Sequence, residues 1–200
     1  MGGTVGLAWW TRVGEAGGVT RLLVAPRWTK GRSIMAMREL RYFGDPVLKS
    51  VCDPVTTFDS KIEALVKDLL DSVQPEGRAG LAAPQIGVGL RVFSYDVGGL
   101  TGYVINPEIA HLSEETHEIG EGCLSVPELW FPTVRAKHAV VRGVDLRNEP
   151  IEVEGVDVLA QCLQHETDHL DGKLYLDRLT PDRKKQALRE ARGKDWFWNR

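Results

Sequence analysis

A chain of 200 residues, 42% hydrophobic and 26% charged, suits one ordinary globular domain that can bury a core without disulfides. No apolar run approaches the ~20 residues a bilayer span needs, and three cysteines (Cys52, Cys123, Cys162) are too few for a secreted disulfide scaffold, which points to thiols in a reducing compartment. The net charge of −3 is uneven: residues 1–34 and 181–200 each carry +4, leaving −11 on the body, so specific DNA binding is not expected.

Residues 1–34 are rich in Gly, Arg, Trp and Thr, show no clear period and precede Met35 and Met37. They read as a disordered extension or a mis-assigned start, with an organellar transit peptide as the alternative. The catalytic domain is expected over 35–180 and a basic helix or tail over 181–200.

Within the domain, Asp45-Pro46 marks a turn or short helix start. Ser60-x-x-Glu63 reads as a capping box for a helix whose Ile62, Leu65, Val66, Leu69, Leu70 and Val73 share one face, ending near Gln74-Pro75. A loop from Glu76 to Gln85 follows. Strand signals then come at Leu90–Tyr95 and Gly102–Ile105, split by a Gly98-Gly99 turn. From Val134 to Val158 polar and apolar residues alternate around Arg147–Pro150, which predicts an antiparallel hairpin. A helix with Val158, Leu159, Cys162, Leu163 and Leu170 as its apolar component stops at Asp171-Gly172. A short segment around Leu174–Leu176 and a charged helix from Pro181 complete the chain. Strands and helices are segregated, so the fold class is α+β.

The chemistry lies in His165-Glu166-Thr167-Asp168-His169 on that helix. Residues four apart share a helix face, so both imidazoles can hold one metal ion. Glu166 stands beside the first, placed to take a proton from a water whose pKa the metal lowers. A catalytic centre usually has a third protein ligand. Glu190 lies between Arg189 and Arg192 on what reads as a solvated face, and Cys162 on the same helix would crowd the ion. Cys123, in Glu121-Gly122-Cys123-Leu124-Ser125-Val126-Pro127, can approach from an opposing segment and is favoured.

The segments Gly80-Leu81-Ala82-Ala83-Pro84-Gln85, Glu121-Gly122-Cys123-Leu124-Ser125 and Gln164–Leu170 resemble, in order, the three motifs of the peptide deformylases, over about Met37 to Leu179. The resemblance implies antiparallel sheets around a central metal-binding helix, and removal of the formyl group from N-formylmethionyl nascent peptides. It implies Cys123, His165 and His169 as ligands of one divalent metal, usually Fe2+, with Zn2+, Ni2+ or Co2+ as substitutes. Glu166 would be general base and acid, with the Gln85 amide and the Leu124 N–H as oxyanion donors. Gly80 would let the substrate backbone approach, and Ala79, Ile119, Val158, Gln161 and Cys162 would line the methionine pocket, Gln161 standing where an aliphatic residue is common. Glu121 and Arg135 would form an ion pair behind the cysteine loop. Arg78 departs from the family's usual glycine and is expected at the substrate mouth.

Two other readings use the same residues. A metallopeptidase would differ in its third ligand and substrate, and a closed Cys123, Cys162, His165, His169 set would make a structural metal module. The deformylase reading implies a bacterial cytoplasmic location, organellar if residues 1–34 are a transit peptide, and the basic tail suggests weak contact with ribosomal RNA phosphates.

Overall fold

The computed structural model describes residues 38–75 and 77–198; the extension read over 1–34 and Glu76 lie outside the described residues. Asp45 opens a short 3-10 turn over Pro46–Lys49 by accepting a hydrogen bond from the Val47 N–H. Helix α1 spans Ser60–Val73. Its N-cap is Asp59, whose carboxylate accepts from the Lys61 and Ile62 amides, so the cap lies one residue before the Ser60 expected. The predicted apolar face is buried, each such side chain contributing roughly 1.5–3 kcal/mol. It packs with Leu81, Ala83, Ile86, Val92 and Ile105.

Among the described residues seven strands form two sheets. The larger has the order β1-β2-β3-β6-β7, all antiparallel: β1 Gly80–Ala82, β2 Val92–Val97, β3 Leu100–Leu112, β6 His138–Val144 and β7 Pro150–Val156. Gly98 and Gly99, at φ 61° and 83°, make the tight β2–β3 turn that L side chains resist. The smaller sheet pairs β4 Thr116–Cys123 with β5 Val126–Ala136. The predicted hairpin is therefore β6–β7 alone, because Val134–Ala136 belong to β5 in the other sheet. Part of the expected 76–85 loop is strand β1 and a 3-10 turn over Ala83–Ile86.

Helix α2, Asp157–Leu170, packs against β5 of the small sheet and β1, β2, β6 and β7 of the large one. Leu159, Cys162, Leu163 and Leu170 join Ala82, Phe93, Val104 and Val141 in the core. The chain leaves α2 through Gly172, at φ +69°, where a Cβ would stand 2.7 Å from the Lys49 carbonyl oxygen. A 3-10 turn at Tyr175–Asp177 leads to α3, Pro181–Ala191, and a short α4, Asp195–Trp198. Ala187 and Ala191 pin α3 on Val126, Leu129, Phe131 and Tyr175. Among the described residues no helix is long and apolar enough to cross a membrane.

Candidate metal centre

Helix α2 buries six consecutive polar residues, Gln164 to His169, the Gln164 amide pairing with the Ala136 and Ala160 backbone. Burying a polar group is costly unless it finds a partner, so the partners show what each residue is for. The Thr167 hydroxyl donates to the Leu163 carbonyl at 2.8 Å. Asp168 is held by Arg135 and Arg178. His165 Nδ1 meets Glu121 Oε1 at 2.6 Å, which fixes the ring and turns Nε2 toward His169. Two groups are left unpaired: the Nδ1 of His169 and Oε2 of Glu166.

The third group comes from the small sheet. Its register slips between Gly122 and Cys123, a bulge that re-aims the cysteine at the end of β4. Cys123 Sγ lies 3.3 Å from His169 Nε2, and the two Nε2 atoms lie 3.2 Å apart. The ligand atoms of Cys123, His165 and His169 all fall within 4.8 Å of one another. Burial opposes charge on His165, but hydrogen bonds to Cys123 and Glu121 outweigh it and raise its pKa; burial and the charge of His165 lower that of His169. Three lone-pair donors, one of them a thiol that also accepts the Ser125 amide at 3.4 Å, fit a single divalent cation.

The other candidate ligands stand apart. Cys162 is buried, its thiol donates to the Ala79 carbonyl at 3.2 Å, and burial pushes its pKa well up. Glu190 is exposed on α3, accepting from Gln186 at 2.9 Å. Neither joins the Cys123, His165, His169 group.

Glu166 is buried against that group, and desolvation raises its pKa to about 7, helped by Glu121 and opposed by His165. Gln85 is buried in the 3-10 turn that follows β1: its Oε1 accepts from Ala82 N at 2.8 Å, while Nε2 faces Ser125 Oγ at 3.3 Å and Cys123 Sγ at 3.5 Å. The amide N–H thus points at the metal centre. Leu124 occupies the turn between β4 and β5 and lines the same cavity.

That cavity, about 400 Å³, is walled by Gly80, Gln85, Cys123, Leu124, His165 and Glu166 at its inner end. Of the expected pocket residues, Ala79, Val158, Gln161 and Cys162 line it. Ile119 is not among its lining residues; the Gln161 amide donates to the Gly120 carbonyl and Glu121 Oε2 beside it. The Glu121–Arg135 pair is buried and bidentate, at 2.9 and 2.6 Å. Despite its burial, Glu121 is held down to about 2 by Arg135 and His165. Arg78 does line the cavity wall, but its guanidinium turns back to the Ser72 carbonyl at 2.6 Å, on the last turn of α1. Its φ is not positive, so the backbone there does not require glycine. Sequence reasoning missed Trp130, a 67%-exposed ring on the cavity rim that carried no periodic signal, and Asp168, hidden among the variable letters of the helix motif.

The family model described as polypeptide deformylase matches residues 37–185. A peptide deformylase of Acidothermus cellulolyticus is 52% identical over 162 residues, 81% of this chain and 89% of the relative. Peptide deformylase 1 of Corynebacterium efficiens is 44% identical over 167 residues, covering 82% and 99%. Among solved structures, a Legionella pneumophila peptide deformylase superposes with a TM-score of 0.74 at 39% identity, covering 79% of this chain and 95% of that one. The Thermotoga maritima enzyme gives 0.69 at 41%, covering 72% and 99%.

Proposed function

The chain belongs to the peptide deformylase family, metal-dependent hydrolases that release formate from the N-formyl group of nascent peptides, and we propose the residues by which it does so. The observation that carries the reading is the meeting of Cys123, His165 and His169 beside an unpaired, buried Glu166 on the wall of an open cavity.

Cys123, His165 and His169 would hold the ion, which when bound supplies Lewis acidity toward water and the formyl oxygen. We read the ion as Fe2+, with Zn2+, Ni2+ or Co2+ able to replace it, since thiolate and imidazole donors tolerate all four. Glu166 takes the proton of the attacking water and later gives it to the departing amine. A carboxyl whose pKa lies near 7 can do both. The Nε2 of Gln85, already turned toward Cys123, and the N–H of Leu124 are the donors for the oxyanion. A glutamate at position 85 would repel that charge. Ala79, Val158, Gln161 and Cys162 surround the methionine side chain, and the amide of Gln161 makes this pocket less apolar than an aliphatic residue would.

The tail reading becomes more specific. Arg183, Lys184 and Lys194 are tied to Glu118, Asp177 and Glu128, whereas Lys185, Arg189 and Arg192 are exposed and form no ion pair among the described residues. These three are the groups we assign to weak ribosome contact. A bacterial cytoplasmic location follows from a nascent-chain substrate, and an organellar one would require residues 1–34 to act as a transit peptide.

The test is anaerobic purification, metal analysis and formate release from a formyl-Met peptide. One equivalent of metal and turnover on the formylated but not the acetylated peptide are expected. Metal binding with cleavage of internal peptide bonds instead would favour the metallopeptidase.

A further inference from the structure

None of the sequence motifs includes Arg178, yet it stands at the outer end of a continuous ionic chain to the metal centre. Its Nε and Nη2 clasp both oxygens of Asp168, at 2.9 and 2.5 Å. Asp168 Oδ2 also accepts from Arg135 Nη1 at 2.6 Å. The remaining edge of Arg135 clasps Glu121, which in turn holds Nδ1 of His165 at 2.6 Å. The side chains of Glu121, Arg135 and Asp168 are all at most 6% exposed, so each contact works with little screening by water.

The order of charges gives Arg178 its role. Arg135 is shared between two carboxylates, and its grip on Glu121 lasts only while Asp168 is satisfied from elsewhere. Arg178 provides that satisfaction. Without it, a buried Asp168 would be left with Arg135 as its one partner and would draw that guanidinium toward itself, because a buried carboxylate is tolerated only when its oxygens are paired. Glu121 would then lose its clamp, and His165 its orientation.

We propose that Arg178 is a positioning residue for His165, acting through Asp168, Arg135 and Glu121 without touching the ion, the substrate or the ring itself. Its side chain is 45% exposed and lines a second cleft of about 290 Å³, formed with Ile109, Leu112, Val134, Gln164 and Thr167 on a different face of α2 from the substrate cavity. Loss of the Arg178 side chain should therefore leave a vacancy that a small guanidinium ion can reach from solvent.

The experiment rests on the metal-centre reading and uses the full chain loaded with Co2+, whose visible spectrum reports ligand geometry directly. Arg178→Ala is expected to shift and broaden the Co2+ bands, speed release of the ion to a chelator by about 10–100-fold, and lower kcat similarly with KM for the formyl peptide unchanged. Methylguanidinium should restore the spectrum and slow the release, and methylammonium at equal ionic strength should not. Arg178→Lys, which keeps charge but not the two-pronged clasp, should lie between the two and serves as the test should the alanine variant not fold. Wild-type spectra and release rates in the folded variants, or equal restoration by methylammonium, would overturn the proposal. A wild-type chain that takes up no Co2+ sinks the metal-centre reading itself, and this inference with it.

Discussion

Gly80 and Glu166 stand so close that a methyl group on Gly80 would fall 2.7 Å from Cδ of the Glu166 carboxyl and closer still to its Oε1. The glycine of the first motif is thus explained by the glutamate of the third, 86 residues later, before any substrate backbone is considered. Real Cβ atoms do not approach a carboxylate this closely, so one of the two would have to move.

Gly80→Ala should therefore displace Glu166 and spare the ligands. We expect metal content near wild type and kcat reduced about 100-fold or more, since a displacement near 1 Å costs that much in a preorganised site. Retention of kcat with only KM raised would place the glycine's role at the substrate backbone instead.

Glu166→Gln removes the proposed proton carrier and keeps the three proposed ligands, so turnover should fall about 10²–10⁴-fold with metal still bound. The same change should stabilise the metal-free protein at high pH. The folded-state pKa of about 7 exceeds the ordinary 4.5, so the folded chain binds more protons than the unfolded one between these values. The ionised carboxylate then costs stability that grows as pH rises through this window, up to about 3 kcal/mol above it. Thermal melts of chelator-treated protein should show Glu166→Gln raised by up to roughly 10 °C at pH 8 and unchanged at pH 4. Identical melts at both pH values would refute the desolvation argument.

A thiolate on a redox-active ion with an open position is exposed to oxygen chemistry. The ferrous form should lose activity in air within the time that Ni2+- or Zn2+-loaded protein keeps it. Equal air stability of the ferrous and nickel forms would count against Cys123 as a ligand.

Deleting the tail is a poor test of ribosome docking, because Ala187 and Ala191 are fully buried in the core beneath α3. Charge reversal at Lys185, Arg189 and Arg192 leaves that packing alone. It should spare hydrolysis of a short formyl peptide and reduce co-sedimentation with ribosomes at low salt, where phosphate contacts are strongest. Unchanged co-sedimentation would leave α3 with a structural role only.

The centre of the site was legible because its spacings are local. His165, Glu166 and His169 are arranged by one helical turn, and a helix reports its own geometry in the sequence. The apolar stripe of α1 and the Gly98-Gly99 turn were legible for the same reason. The β4–β5 hairpin was not, since the one buried residue of Thr116–Cys123 is a carboxylate, Glu121, and its pairing depends on a bulge at Cys123 that no local pattern announces. Ile119 matches a family pocket position, yet it does not line the cavity, while Gln161 on α2 does, and which residue faces the cavity depends on how α2 packs against β4.

What the sequence determined by itself was the candidate donors and the proposed base: two histidines one turn apart, a glutamate between them and a cysteine of the right type elsewhere. What only the tertiary structure decided was which groups would be left unsatisfied. Cys162 found the Ala79 carbonyl and Asp168 found two arginines, while Cys123 was carried to within 3.3 Å of His169 and Glu166 kept an unpaired oxygen. Burial charges every polar group for its lost water, and whether a partner offsets that cost depends on residues brought together from distant parts of the chain.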